Sequence, residues 1–170
     1  GRIGRVVADY ARAFGMKVVW WGSDAGRARA KADGETVPES RAAFFGTCDV
    51  VSLHLRLTSE TRGSVTADDL GAMPPRSVLV NTSRAGLIAE GALLQALNAG
   101  HLGAAAVDVF DFEPLTDPSD PLLSHPKMIA TPHIGFVTED EFDKQFADIF
   151  EQVNAYAAGA PIHMINPSVY

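Results

Sequence analysis

Cysteine is almost absent from this chain. Cys48 is the only one in 170 residues, which excludes an internal disulfide and a zinc site built from cysteines. Its neighbours, Phe44-Phe45-Gly46-Thr47 before it and Asp49-Val50-Val51 after it, predict a buried small apolar side chain rather than a reactive thiol. A chain so poor in cysteine fits a reducing, cytoplasmic compartment. Basic charge is also scarce. Fourteen Lys and Arg face twenty-one Asp and Glu, a net charge of -7, and no basic run is present. That balance argues against a nucleic-acid partner. No apolar stretch approaches the roughly 18 residues that span a bilayer, so no membrane partner is expected. The five histidines show no metal-ligand spacing, and repeats, low-complexity segments and Gly/Ser linkers are missing. What remains is 46% hydrophobic and 21% charged, the composition and length of an ordinary globular domain with a sizeable core.

Hydrophobic spacing gives the elements. Ile3, Val6, Val7, Tyr10, Ala11 and Phe14 trace one stripe of a helix that Gly15 stops. Lys17 to Trp21, β-branched and aromatic, predicts a strand, Gly22-Ser23-Asp24 a turn, and 25–32 a short helix. Further strands are predicted at 49–53, 77–81, 103–108 and 127–130. A short helix around Asp68-Asp69-Leu70 must end before Pro74-Pro75, and a helix over 90–99 closes at Gly100. A long helix from about 139 to 158 carries Phe142, Phe146, Ile149, Phe150, Val153, Tyr156 and Ala157 on one face. Helices alternating with near-continuously apolar strands predict an α/β chain with a doubly wound parallel sheet, covered on both faces.

In such a sheet ligands bind beyond the carboxyl ends of the strands, so polar residues there are the candidates. Gly1 and Gly4 open the first helix, where a pyrophosphate can approach backbone N–H groups and the positive end of the dipole. Two glycines serve a turn or close packing as readily. An acid near the end of the 17–21 strand would hold ribose hydroxyls. Gly22 occupies the expected slot, Ser23 follows and Asp24 comes slightly late. No Arg stands at that strand end to favour a 2′-phosphate, which tilts the cofactor towards NAD without excluding NADP. His54 follows one strand and Asn81-Thr82-Ser83-Arg84 another. Arg84 suits a carboxylate held by two parallel hydrogen bonds, and an ordinary surface Arg is the alternative. Asp108 ends the 103–108 strand, Glu113 lies shortly beyond it, and Thr131-Pro132-His133 follows the last strand. An Arg, a Glu and a His past three strand ends can converge at one rim, where a carboxylate would orient the imidazole for proton exchange.

Five segments carry a family resemblance: Gly1-Arg2-Ile3-Gly4, Asp49 to His54, Val80 to Ile88, Ala106 to Pro114 and Thr131 to Gly135. In this order, over nearly the whole chain, they resemble the nucleotide-binding domain of the D-isomer-specific 2-hydroxyacid dehydrogenases. The resemblance implies a Rossmann-like sheet and NAD-dependent oxidation of a D-2-hydroxy acid, or reduction of a 2-keto acid. It implies that Arg84 binds the substrate carboxylate, that His133 is the acid-base group, and that Glu113 pairs with it. Gly1, Arg2, Ile3, Gly4, Ser23, Asp24, His54, Thr82, Ser83, Arg84, Asp108, His133 and Gly135 would line the cofactor, with Asp108 on the nicotinamide carboxamide. Trp20 and Trp21 would lie near the adenosine. Glu113 counts against formate dehydrogenase, which carries Gln there. Gly22, Arg56 and Phe136 depart from the family pattern. The resemblance also implies a substrate domain and a first central strand ahead of Gly1, so the chain reads as N-terminally truncated with an open sheet edge. Residues 1–138 would then form the cofactor domain, and 139–170 a helix and tail returning towards the substrate domain. A homodimer is expected. A cofactor-binding corepressor-like module and an inactive fragment are the alternatives.

Overall fold

Short apolar runs form the strands of the computed structural model, which describes residues 1–169. These are β1 Val50–Leu53, β2 Val78–Asn81, β3 Ala104–Val107 and β4 Met128–Ala130. They pair in parallel in the order β1-β2-β3-β4. The register sets Leu53 beside Asn81, Asn81 beside Val107 and Val107 beside Ala130, so the carboxyl ends of all four strands share one rim. The helices are α1 Arg2–Ala13, α2 Asp24–Ala32, α3 Arg41–Thr47, α4 Ala67–Ala72, α5 Ala92–Asn98 and α6 Glu139–Ala157. Side-chain oxygens start four of them: Ser23, Ser40, Thr66 and Thr138 accept the N–H groups of Gly26, Ala43, Asp69 and Glu141.

The core lies on one face of the sheet. Val51, Leu53, Leu79, Ala105 and Val107 point into it, against Leu70, Leu87, Leu93, Leu97 and Leu102. Each such Leu or Val contributes about 1.5–3 kcal/mol by leaving water. Cys48 is buried with them, and burial pushes its thiol pKa up. The parallel sheet flanked by helices is as expected, and its other face is covered less completely. Ser52, Val78, Val80, Ala104 and Ala106 are half-buried, and Val50 and Ile129 are exposed. The strands follow one another in sequence order, and α4 and α5 pack together over the buried face. The residues of the two faces therefore alternate along each strand.

Two local expectations are corrected. Residues 17–21 form no strand: the N–H of Trp20 reaches the carbonyl of Thr36, and no ladder develops. A strand exists only with a partner to accept its backbone groups. Helix α1 forms as expected, but its apolar stripe faces outward. Ile3 and Phe14 are exposed, whereas the small residues Gly4 and Ala8 are buried. Small side chains let a helix approach its neighbour closely, here with Gly4 against His54.

An ion pair joins α3 to α4. Arg41 Nε and Nη2 donate to the two carboxylate oxygens of Asp69 at 2.7 and 2.6 Å. Asp69 also accepts from the N–H and hydroxyl of Thr66, closing a capping box. Burial alone would raise the Asp69 pKa, but the hydrogen bonds from Arg41 and Thr66 outweigh it and hold the carboxyl below its ordinary value.

The chain divides into two compact units, residues 1–133 and 134–170. In the second, α6 buries none of its residues. Phe142, Phe146 and Phe150 line up along it with ring centroids 4.5 and 6.3 Å apart, and Ile149, Val153 and Tyr156 are exposed beside them.

Asp69→Asn is expected to destabilise the chain by about 2 kcal/mol, read from urea unfolding. The exposed neighbour Asp68 supplies the control, because Asp68→Asn should change little. Since the folded-state pKa of Asp69 is depressed, its contribution is fully present above the ordinary Asp pKa. It is lost as pH falls through the lowered value.

Candidate active site

Just past β2 the chain turns on Asn81, whose side chain is 1% exposed. Its Oδ1 accepts the N–H of Ser83 at 3.0 Å, and its Nδ2 donates to the carbonyl of Arg84 at 2.9 Å. The Ser83 hydroxyl donates to the Leu55 carbonyl at 2.7 Å, tying this turn to the segment after β1. Thr82 and Arg84 are exposed, and Arg84 Nη1 donates to the Ser83 carbonyl. One strand over, Asp108 is 4% exposed. Its N–H donates to the Asn81 carbonyl at 3.0 Å, and its carboxylate accepts the Thr131 hydroxyl at 2.5 Å.

Glu113 and His133 meet beyond these ends. His133 Nδ1 donates to Glu113 Oε2 at 2.6 Å, and Glu113 Oε1 accepts the Phe110 N–H at 2.8 Å. The Glu113 carboxyl is held below its ordinary pKa, first by the His133 hydrogen bond and then by the Phe110 N–H, with the positive charge of Arg84 adding to the effect. The backbone of His133 is left-handed, φ 56°, and its N–H turns back to the Thr131 carbonyl at 3.0 Å. The fold thus brings Glu113 and His133 into contact and sets Arg84 within their electrostatic reach.

A second cluster forms around α1. Gly1 caps the helix without a side-chain acceptor for its first N–H groups, and a Cβ at Gly1 would meet nothing within 4 Å. A Cβ at Gly4 would lie 3.3 Å from the Cβ of His54. His54 Nε2 is 2.9 Å from the Ser52 hydroxyl, and burial lowers the His54 pKa. Gly1, Gly4 and His54 are therefore brought together, while the side chains of Arg2 and Ile3 are exposed. An uncapped twelve-residue helix with open space at its start fits a pyrophosphate. The buried carboxylate of Asp108 at the rim fits a polar amide donor.

At the end of the 17–21 segment, Ser23 caps α2 and Asp24 is exposed. The sequence reading finds no Arg here, and the fold supplies one. Arg27 Nη1 donates to the Gly22 carbonyl at 2.5 Å, its Nη2 pairs with Asp24, and its Cζ lies 4.4 Å from the centroid of the Trp21 ring. Arg27 is missed because its guanidinium folds back five residues along the chain. Asn81 is missed as a turn-former, although an Asn followed by Thr-Ser is a recognisable Asx-turn signal. Gly135 lies in the second unit and is exposed. Among the described residues no cluster of metal-ligating side chains occurs, and no helix is long and apolar enough to cross a membrane.

Chemically the rim can do two things. An imidazole oriented by a carboxylate is a group that can exchange a proton near neutral pH. Arg84 offers a fork for a carboxylate. The Glu113 carboxyl carbon, followed by NMR, is expected to titrate below an ordinary glutamate and to move back up in His133→Ala. The contribution of the pair to stability is present above the ordinary Glu pKa and disappears as pH falls through the lowered value.

The model of the D-isomer specific 2-hydroxyacid dehydrogenase NAD binding domain matches residues 1–135. D-3-phosphoglycerate dehydrogenase of Bacillus subtilis is 38% identical over 162 residues, 95% of this chain and 30% of that protein. Glyoxylate reductase of Aeropyrum pernix is 34% identical over 170 residues, 99% of this chain and 50% of that protein. The crystal structure of an oxidoreductase from Ralstonia solanacearum superposes with a TM-score of 0.93 at 44% identity, covering 98% of this chain and 49% of that one. The chain spans half or less of the length of each of these relatives.

Proposed function

The chain belongs to the D-isomer specific 2-hydroxyacid dehydrogenases, whose NAD binding domain it carries, and we propose that the protein oxidises a D-2-hydroxy acid, or reduces the matching 2-keto acid, with NAD. The observation that carries this reading is the rim where Arg84, Glu113 and His133 gather beside the Gly1–Gly4 and His54 cradle. A nicotinamide, when bound, supplies the hydride that arrives at C2 of the keto acid. Arg84 holds the substrate carboxylate and polarises the adjacent carbonyl. His133 gives its proton to the carbonyl oxygen in reduction and takes it from the hydroxyl in oxidation, while Glu113 keeps the ring oriented. Asp108 receives the carboxamide, Thr82 and Ser83 line the groove beside it, and Gly1 to Gly4 hold the pyrophosphate.

The adenosine end favours NAD over NADP. Arg27 is engaged by Gly22, Asp24 and the Trp21 face, so the group presented outward is the Asp24 carboxylate. That carboxylate, 95% exposed at its side chain, suits ribose hydroxyls. We assign residues 1–138 to the cofactor domain and 139–170 to a segment that meets the substrate domain. The working protein is a cytoplasmic homodimer on this reading.

The test is NADH oxidation with a panel of 2-keto acids, using protein expressed from the complete reading frame. His133→Ala is expected to lower kcat by about 10²–10⁴-fold on the best substrate. NADH binding without turnover of any keto acid would sink the assignment and favour a cofactor-binding module that acts through protein partners. In the same assay Asp24→Ala should narrow the preference for NADH over NADPH. A wild-type protein that prefers NADPH would overturn the cofactor assignment.

A further inference from the structure

We propose that Asn81 is the positioning residue of the carboxylate-binding turn, holding the backbone of Ser83 and Arg84 so that the guanidinium is presented at the rim. The inference rests on the reading above that Arg84 binds the substrate carboxylate. A polar side chain 99% removed from solvent must find partners for both ends of its amide. Asn81 finds them in the two residues it precedes by two and three: the Ser83 N–H at 3.0 Å and the Arg84 carbonyl at 2.9 Å. One amide thus satisfies a donor and an acceptor of the same turn. An Asp in its place keeps the acceptor for Ser83 but sets an anionic oxygen against the Arg84 carbonyl. An Ala or Leu leaves both backbone groups without it.

The backbone of Asn81 does something separate. Its carbonyl accepts the Asp108 N–H at 3.0 Å, continuing the β2–β3 ladder. Side chain and main chain therefore serve different halves of the site. The amide fixes the turn that carries Arg84, and the carbonyl fixes the strand end that carries Asp108. Truncating the side chain removes the first and leaves the second. Function and fold can be told apart on that basis, because a merely structural Asn81 would weaken both halves together.

The experiment compares wild type with Asn81→Ala in protein from the complete reading frame. The expected result is a loss of about 10- to 100-fold in kcat/KM for the keto acid, with the Kd for NADH, read from tryptophan fluorescence, raised by no more than about threefold. Amide hydrogen exchange read by NMR should show the Ser83 N–H losing protection while the strand amides of Leu79 and Ala105 keep theirs. Faster exchange across the strands, equal weakening of NADH, or wild-type kcat/KM would each overturn the proposal. Asn81→Ser, which stays neutral and keeps a short polar side chain in the turn, carries the same kinetic comparison if the Ala variant does not fold. A wild type that turns over no keto acid overturns the functional reading and the positioning role with it. Loss of Ser83 protection alone would then show that the clamp exists and serves only the fold.

Discussion

The parallel register of the four strands is the constraint on which the site depends. Leu53, Asn81, Val107 and Ala130 stand side by side in the ladder. Whatever follows each of them emerges at the same height on the same rim. Four chain segments separated by tens of residues thereby deliver His54, Arg84, Asp108 and His133 to one neighbourhood. A slip of one residue would do more than shift these groups. It would reverse which side chains face the core, exposing Val51, Leu79 and Ala105. The apolar packing that holds the register therefore also holds the chemistry in place.

How much of this is legible in the sequence follows from how local each feature is. The strands at 50–53, 78–81, 104–107 and 128–130 show themselves as short apolar runs, and the polar residues after them mark the rim. Helix α6 is legible in its stripe of aromatics. The structure of segment 17–21 is not, because its β-branched and aromatic residues state a preference that only a neighbouring strand can realise. Helix α3, seven residues with no periodic stripe, leaves no signal to read. The orientation of α1 is hidden for another reason. Its large residues signal a helix, but its buried contact is made by Gly4 and Ala8, and small residues carry no weight in a hydrophobic pattern.

The site divides in the same way. The residue types that carry proton and carboxylate chemistry stand out because they are charged and follow strands. Those that hold them do not. Phe110 contributes a backbone N–H to Glu113, which no side-chain pattern announces. Arg27 has the charge expected of a phosphate ligand, yet its position folds it onto Gly22, Asp24 and Trp21. Sequence reading identifies a charge, while only the fold shows whether that charge is already satisfied.

The rim is assembled by different forces from the core. Below it, apolar side chains pack mainly against one another. At the rim, groups are fixed by directional hydrogen bonds, some local, as Asn81 to Ser83 and Arg84 and Glu113 to Phe110, and some between strand ends, as Ser83 to Leu55, Thr131 to Asp108 and His133 to Glu113. Such bonds contribute only about 1 kcal/mol each to stability, but they define direction, which packing does not. His133 shows what that direction requires. Its left-handed φ of 56° is one that a residue with a Cβ adopts at a cost of about 1–2 kcal/mol. The turn to Thr131 and the bond to Glu113 keep it there. A right-handed backbone at this position would point the imidazole elsewhere and break its contact with the carboxylate.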